Sequence, residues 1–201
     1  MHHSPHQSGS LFGPGGSRKY LNVFELRRFV AAALRAPPKI RLFCLLLRWT
    51  GARISEVLAL VPRSIDYEAG VVSIVTLKRR KPGIVRQVPI PPWLVTELTS
   101  VFKLKSAQRD PHLAARRLWR WSRTTAWRYV KAIMIQAGIV GMQAMPKGLR
   151  HGFGVGAIRA KVPLTLLQRW LGHASLRSTA VYLDVSGAEE QEIARRMWRG
   201  L

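Results

Sequence analysis

Apolar side chains recur every three or four residues through most of this chain, which is the spacing of one helix face. Prolines and glycines interrupt the pattern at several points, so it divides into separate helices rather than one long one. Pro37 and Pro38, for example, end the first apolar stripe, and Gly172 follows a later one. The pattern predicts helices over residues 20–36, 40–49, 54–60, 93–104, 124–137, 149–160, 164–171, 176–183 and 188–198.

One segment departs from the helical pattern. Residues 71–77 are rich in β-branched side chains, residues 78–83 form a basic turn, and residues 84–88 alternate between apolar and polar. This arrangement is typical of an antiparallel hairpin. We therefore predict an α+β fold, mainly α-helical, with one small antiparallel β-sheet.

The ends of the chain and its length suggest a simple organisation. A length of 201 residues suits a single core. Residues 1–17 contain Gly, Pro, Ser and three histidines (His2, His3 and His6) without apolar periodicity, which indicates a disordered leader before a domain over residues 18–201. No apolar stretch approaches the length of a membrane span and no signal peptide is visible, so we expect no membrane partner and a cytoplasmic location.

Composition adds the class of partner. The chain carries 33 Lys and Arg against 10 Asp and Glu, a net charge of +23, while 47% of its residues are hydrophobic. A folded body with this charge attracts polyanions, and duplex DNA is the first candidate. The one cysteine, Cys44, lies in an apolar run, where a buried and inert thiol is expected.

Charge alone does not name a reaction, but several residues together suggest one. Phosphodiester exchange without a metal needs cations for the phosphate oxygens, an acid for the leaving oxygen and a nucleophile. The chain offers each type. The candidate site residues are Arg53, Lys78, Lys81, Lys147, Arg150, His173 and Tyr182.

The segments around these residues resemble, in order, those of the tyrosine recombinase (phage integrase) family, from about Arg18 to the C-terminus. Residues 50–58, TGARISEVL, are similar to the family's first arginine box. The resemblance implies that Arg53 grips the scissile phosphate while Glu56 helps to hold the helix.

The predicted hairpin, followed by the sequence RQVP at residues 86–89, is similar to the strands whose turn delivers a catalytic lysine to the leaving 5′ oxygen. Counting back from Pro89 favours Lys81, whereas a lysine at the end of the preceding strand favours Lys78. Both alternatives stay open.

Two further segments complete the resemblance. Residues 146–153, PKGLRHGF, look like the second arginine box, in which Arg150 matches directly and Lys147 stands where the family more often has histidine. Residues 171–173, LGH, and 178–182, STAVY, resemble the closing signature. The resemblance implies that His173 donates to the phosphate and that Tyr182 is the nucleophile.

The implied activity is site-specific recombination of duplex DNA through a 3′-phosphotyrosine link, without ATP, metal or other cofactor, by a homotetramer on two synapsed sites. The alternative is a catalytically weak relic that acts as a DNA-binding regulatory module. Lys147 and the expected lack of the family's N-terminal DNA-clamping domain favour that alternative. An accessory DNA-binding protein is a candidate substitute for the clamp.

Other residues in these segments have ordinary interpretations as well. His151 fits a core hydrogen-bonding role as readily as support of an active site. Three tryptophans lie among arginines, namely Trp119, Trp121 and Trp127. This pattern is also found where aromatic rings stack on unpaired bases, but packing in the core is the simpler interpretation.

Overall fold

The structure is a computed structural model, and it describes residues 10–77, 83–183, 191, 194, 195, 197 and 198. These residues form ten α-helices and one three-stranded antiparallel sheet, which confirms the predicted α+β class. The helices are α1 (Val23–Leu34), α2 (Pro38–Thr50), α3 (Ile54–Leu58), α4 (Pro92–Phe102), α5 (Leu104–Ala107), α6 (Pro111–Ala114), α7 (Arg123–Gln136), α8 (Pro146–Arg159), α9 (Leu164–Leu171) and α10 (Arg177–Ala180). The strands are β1 (Ile65–Asp66), β2 (Val71–Val75) and β3 (Val85–Pro89), and short 3-10 helices span Pro14–Gly16, Pro62–Ser64 and Val181–Leu183.

Local signals place most of these helices close to their predicted ranges. Asn22 caps α1 by accepting from the Glu25 backbone N–H, and the Glu25 carboxylate accepts from the Asn22 N–H in return. Helix α8 begins at Pro146, three residues before its predicted start, because proline suits the first turn of a helix. Lys147 therefore lies in that first turn.

The segment between α4 and α7 contains structure that the apolar pattern did not predict. Helices α5 and α6 have four residues each, which is little more than one turn and too short to display a periodicity. The Asp110 side chain caps α6 by accepting from the backbone N–H groups of His112 and Leu113. Strand β1 has only two residues and was not predicted, because it too is short for a periodic pattern.

The predicted hairpin is confirmed as β2 and β3, which pair antiparallel with Val72 opposite Val88 and Ile74 opposite Arg86. These four residues form the buried face of the pair, so an arginine occupies a position that faces the core. The basic turn of this hairpin, residues 78–82, lies outside the described residues.

Two hydrophobic clusters stabilise the domain. The larger one joins α1, α2, α4 and α7 to the buried face of the sheet, and it includes Cys44, whose thiol is fully buried. Burial raises the pKa of that thiol to about 12, as expected for an inert cysteine. The smaller cluster consists of Leu11, Tyr20, Val155, Ala157, Leu167, Leu171 and Tyr182.

The smaller cluster includes a residue that precedes Arg18. Leu11 is completely buried in it, and Phe12 forms a β-bridge with Arg18. Leu11 and Tyr20 bury their side chains against α8 and α9, which removes apolar surface from water. Residues 1–9 lie outside the described residues, as do most of the residues predicted to form the last helix. In the part of the chain that the structure describes, no helix is long and apolar enough to cross a membrane.

Candidate active site

A cleft of about 900 Å³ opens where the N-terminal ends of α3, α7 and α8 approach the segment from α9 to Tyr182. Five of the predicted site residues line this cleft although they are far apart in the sequence. They are Arg53, Lys147, Arg150, His173 and Tyr182. The remaining two, Lys78 and Lys81, lie outside the described residues.

Arg53 immediately precedes α3 and is fixed by the glutamate three residues later. Its backbone N–H donates to Glu56 Oε2 at 2.8 Å, and its Nη1 donates to Glu56 Oε1 at 2.9 Å. The Arg53 side chain is 32% exposed, whereas that of Glu56 is completely buried. The guanidinium is therefore anchored on one side and open to the cleft on the other.

Glu56 is itself held by a buried arginine from the sheet. Arg86 Nη2 donates to Glu56 Oε2 at 2.7 Å, while its Nη1 donates to Thr76 Oγ1 at 2.9 Å and its Nε to the Trp170 carbonyl at 2.7 Å. Burial by itself would raise the pKa of the Glu56 carboxyl, but the hydrogen bonds and charges of Arg86 and Arg53 lower it below its usual value. Glu56 is thus an ionised link between the sheet and Arg53.

Arg86 was not singled out as a site residue from the sequence, although a signal for it was present. In the alternating segment 84–88, Arg86 falls on the same face as Val88, so the pattern placed a charged side chain toward the core. A charge on a buried face requires a buried partner. The identity of that partner, Glu56, depends on the tertiary structure.

Arg150 projects from α8 and is 7% exposed. Its Nη1 donates to the Gly51 carbonyl at 2.7 Å and its Nη2 to the Leu171 carbonyl at 2.8 Å, so one side chain joins the ends of α2 and α9. Burial, reinforced by the nearby Arg53, lowers the pKa of Arg150 to about 10. The guanidinium stays charged at neutral pH and presents its remaining N–H groups to the cleft it lines.

Helices α2 and α9, whose ends Arg150 joins, are each followed by a glycine at which the chain turns. Gly51 and Gly172 have φ angles of 61° and 65°, which favour glycine. A Cβ on Gly51 would also lie 2.5 Å from the Phe153 ring. Each glycine comes just before a cleft residue, so these turns direct Arg53 and His173 toward the same space.

His173 lies beside the tyrosine predicted as the nucleophile. Its Nδ1 is 2.9 Å from Thr179 Oγ1, and its ring is nearly parallel to that of Tyr182, with centroids 6.3 Å apart. Burial, together with the charges of Arg150 and Arg53, lowers the pKa of His173 to about 3. At neutral pH the ring is uncharged, and in the tautomer that accepts from Thr179 at Nδ1 the proton is on Nε2, which is then a donor.

Tyr182 lies in the 3-10 helix Val181–Leu183 and is only 1% exposed. Its hydroxyl is 3.2 Å from His151 Nδ1, so His151 contacts the tyrosine that was predicted to be the nucleophile. Burial raises the pKa of Tyr182, although the charges of Arg150 and Arg53 act to lower it. The free protein therefore holds Tyr182 as a neutral phenol at pH 7.

The rest of the cleft lining is strongly basic. Exposed Lys147 lines it, and Arg123 and Arg177 add two cations that were not among the predicted site residues. Among the described lining residues there is no carboxylate, so the cleft favours an anion such as a phosphodiester. Net charge was the available sequence signal for these arginines, and it does not locate them.

The tryptophans divide between the core and the cleft. Trp119 is buried against Phe43 and Phe102, and Trp121 packs against Phe43 and Tyr129. This confirms core packing for both. Trp127 lines the cleft and is 43% exposed.

Within the described ranges, no three His, Cys, Asp or Glu side chains are arranged to hold a metal ion.

Comparison with known proteins identifies the relatives of this chain. The model of the phage integrase family matches residues 19–189. Tyrosine recombinase XerA of Pyrococcus furiosus is 30% identical over 182 residues, which cover 89% of this chain and 61% of that protein. Tyrosine recombinase XerD of Shewanella oneidensis is 32% identical over 154 residues, which cover 74% of this chain and 50% of that protein. The chain thus spans about three fifths or less of the length of these relatives.

Solved structures show the same fold. The crystal structure of XerA recombinase superposes with a TM-score of 0.74 at 23% identity, over 89% of this chain and 64% of that one. XerH site-specific recombinase bound to its difH substrate, in a pre-cleavage complex, gives a TM-score of 0.68 at 22% identity, over 90% of this chain and 53% of that one. By the family model, its relatives and its fold, the chain belongs to the phage integrase family of tyrosine recombinases.

Proposed function

We propose that this chain breaks and rejoins duplex DNA at specific sites, with Tyr182 as the nucleophile. The observation that carries the proposal is the cleft that brings the Tyr182 hydroxyl together with Arg53, Arg150 and His173 and has no acidic side chain among its described lining residues. A phosphodiester anion fits this electrostatic environment, and a tyrosine beside it can attack phosphorus.

In the proposed reaction, Arg53, Arg150 and His173 donate to the nonbridging oxygens of the scissile phosphate. Tyr182 Oη bonds to phosphorus while the bond to the 5′ oxygen breaks, which leaves a 3′-phosphotyrosine and a free 5′ hydroxyl. Lys78 or Lys81 supplies the proton to the leaving oxygen, as the family resemblance implies. The 5′ hydroxyl of a partner strand then reverses these steps, so the bond energy is conserved without ATP.

Duplex DNA is the proposed partner, as in the solved XerH complexes and the Tn1549 integrase complexes with similar folds. Exchange of both strands at two sites needs four tyrosines, and we therefore propose a homotetramer on synapsed DNA. We further propose that an accessory DNA-binding protein is a partner and that the chain acts in the cytoplasm. The alternative of a catalytically weak binding module is not favoured, because the cleft retains Arg53, Arg150, His173 and Tyr182.

The test is covalent trapping. Duplexes that bind the full chain are first selected from a randomised pool, and each is then nicked next to the cleavage position, so that the short leaving strand diffuses away after cleavage. The proposal expects a protein–DNA adduct that survives denaturation, is absent in Tyr182→Phe, and persists in Tyr67→Phe, a control outside the cleft. No adduct with any selected duplex would contradict the proposed activity.

A further inference from the structure

The Tyr182 hydroxyl has a specific neighbour to which the family resemblance assigns no chemical step. His151 follows Arg150 on α8, and its Nδ1 is 3.2 Å from Tyr182 Oη. The ring centroids lie 5.8 Å apart and the rings are tilted by 55°, and the 3.2 Å contact brings a ring nitrogen to the hydroxyl. The contact therefore joins the group that must lose a proton to a group able to accept one.

The other lysine, arginine and histidine side chains that line the cleft are poorly suited to accept this proton. Lys147 ends in an ammonium group, which has three donors and no acceptor. Arg53 and Arg150 are likewise donors only. His173 has its Nδ1 occupied by the Thr179 hydroxyl at 2.9 Å. Among the described lining residues there is no carboxylate that could serve instead.

We propose that His151 is the catalytic residue that accepts the Tyr182 proton during strand cleavage, an inference that rests on the proposed function. As Tyr182 Oη bonds to phosphorus, its proton moves to His151 Nδ1 and the bond from phosphorus to the 5′ oxygen breaks. The leaving oxygen receives its proton separately, from Lys78 or Lys81. In the rejoining step, His151 returns the proton to the departing tyrosine oxygen, so protons balance over the full cycle.

The charges around His151 make this transfer depend on bound DNA. In the free protein, burial first, and then the charges of Lys147, Arg150 and Lys19, lower the pKa of His151 to about 4. A phosphodiester between Arg53 and Arg150 brings a negative charge that offsets this field and favours a proton on the imidazole. The neighbouring His173 ring and the Tyr182 phenol are neutral at pH 7 and add no opposing charge. His151 is thus a weak base in the empty cleft and a stronger one when the phosphate is bound.

The experiment measures the single-turnover rate of adduct formation by the full chain on a nicked duplex selected as above. His151→Asn is the main variant, because an amide can hydrogen bond to the hydroxyl but cannot hold its proton. His112→Asn is the matched control, since His112 is exposed on α6 and does not line the cleft. We expect a rate loss of roughly 10²- to 10⁴-fold in His151→Asn and none in the control.

A second measurement separates proton acceptance from a structural role. Replacement of Tyr182 by a ring-fluorinated tyrosine lowers the phenol pKa, so it should restore much of the lost rate in His151→Asn. The rate of His151→Asn should also rise with pH, because hydroxide then removes the phenol proton. A structural defect would produce neither effect. Thermal unfolding confirms that the variant is folded.

Several outcomes would overturn the proposal. An unchanged rate in His151→Asn would show that another group takes the proton, and a faster rate would show that the His151 contact restrains Tyr182. A slower rate that neither fluorination nor high pH restores would make His151 a structural residue. Failure of the proposed function gives a distinct result, the absence of any adduct with the unaltered chain.

Discussion

The two sides of the candidate active site are held in different ways. On the arginine side, hydrogen bonds of Arg53, Glu56, Arg86 and Arg150 connect helices α2, α3, α8 and α9 with the sheet. On the tyrosine side, Tyr182 lies in a three-residue 3-10 helix and is held mainly by the packing of its ring in the smaller hydrophobic cluster. The arginine side is thus fixed by a network of hydrogen bonds, whereas the tyrosine side is fixed mainly by the packing of the Tyr182 ring.

This difference matters for phosphoryl transfer. Cations stabilise developing charge best when they are fixed before the substrate arrives. A nucleophile must instead approach phosphorus during the reaction, and short segments with few hydrogen bonds have lower local stability. We therefore expect changes on the arginine side to reduce both stability and catalysis more than changes on the tyrosine side do.

The largest effect should follow Arg150→Ala. Adduct formation should fall by roughly 10³-fold or more because a fixed donor to the phosphate is lost. The free energy of unfolding should also fall, by about 1–3 kcal/mol for each of the buried Gly51 and Leu171 carbonyls left without a donor. Trapping assays and urea unfolding measure the two effects. Arg109→Ala, an exposed change outside the cleft, should alter neither.

Glu56→Gln tests whether the buried ion pair positions Arg53. Removal of the carboxylate charge leaves Arg86 buried without its partner, which should cost about 3–5 kcal/mol of unfolding free energy. Adduct formation should slow by roughly 10²-fold as the Arg53 guanidinium loses its anchor. The control Glu97→Gln breaks a partly exposed pair with Arg41 and should cost no more than about 1 kcal/mol.

The same pair predicts a pH dependence of stability. Because the folded pKa of Glu56 lies below 4.5, its ordinary value, the pair contributes fully above pH 4.5, and its contribution is lost as pH falls through the folded pKa. The stability difference between the unaltered chain and Glu56→Gln should therefore shrink in acid. Urea unfolding at a series of pH values measures it, and a difference that grows below pH 4.5 would contradict the assignment.

Gly154→Ala tests the packing of the Tyr182 ring without changing any polar group. A Cβ at this position would lie 2.4 Å from the Tyr182 ring, so the ring must move. We expect adduct formation to slow by roughly 10- to 50-fold from misplacement of the hydroxyl, with a stability loss of about 1–3 kcal/mol. Gly156→Ala, two residues along α8, meets no atom within 4 Å and should instead stabilise the helix slightly.

The smallest effect should come from Thr179→Val, which removes the hydroxyl beside His173 Nδ1. The loss of this hydrogen bond, worth about 1 kcal/mol, should slow adduct formation about fivefold by loosening the His173 ring. Thr96→Val, at an exposed position on α4, is the control. An effect as large as that of Arg150→Ala would mean that His173 is fixed through Thr179 as firmly as the arginines are fixed.

Most of the fold could be predicted from the sequence because a long segment with a clear apolar period indicates its own secondary structure. Helices α2, α7 and α9 lie within a few residues of the predicted ranges, and α9 matches its range, residues 164–171. Helices α5 and α6 and strand β1 could not be predicted because each spans only about one period, which is too short for a pattern to repeat. The burial of Leu11 was not predicted either, since two adjacent apolar residues among Gly, Pro and Ser form no periodic pattern.

For the candidate site, the sequence by itself determined which residues are chemically able to act, Arg53, Lys147, Arg150, His173 and Tyr182 among them, and on which local elements they lie. Only the tertiary structure decided that these five share one cleft, that Arg86 is the buried partner of Glu56, and that His151 contacts the Tyr182 hydroxyl. The reason is physical. A periodicity fixes which face of a helix or strand is buried, whereas contacts between distant residues depend on how helices and sheet pack together.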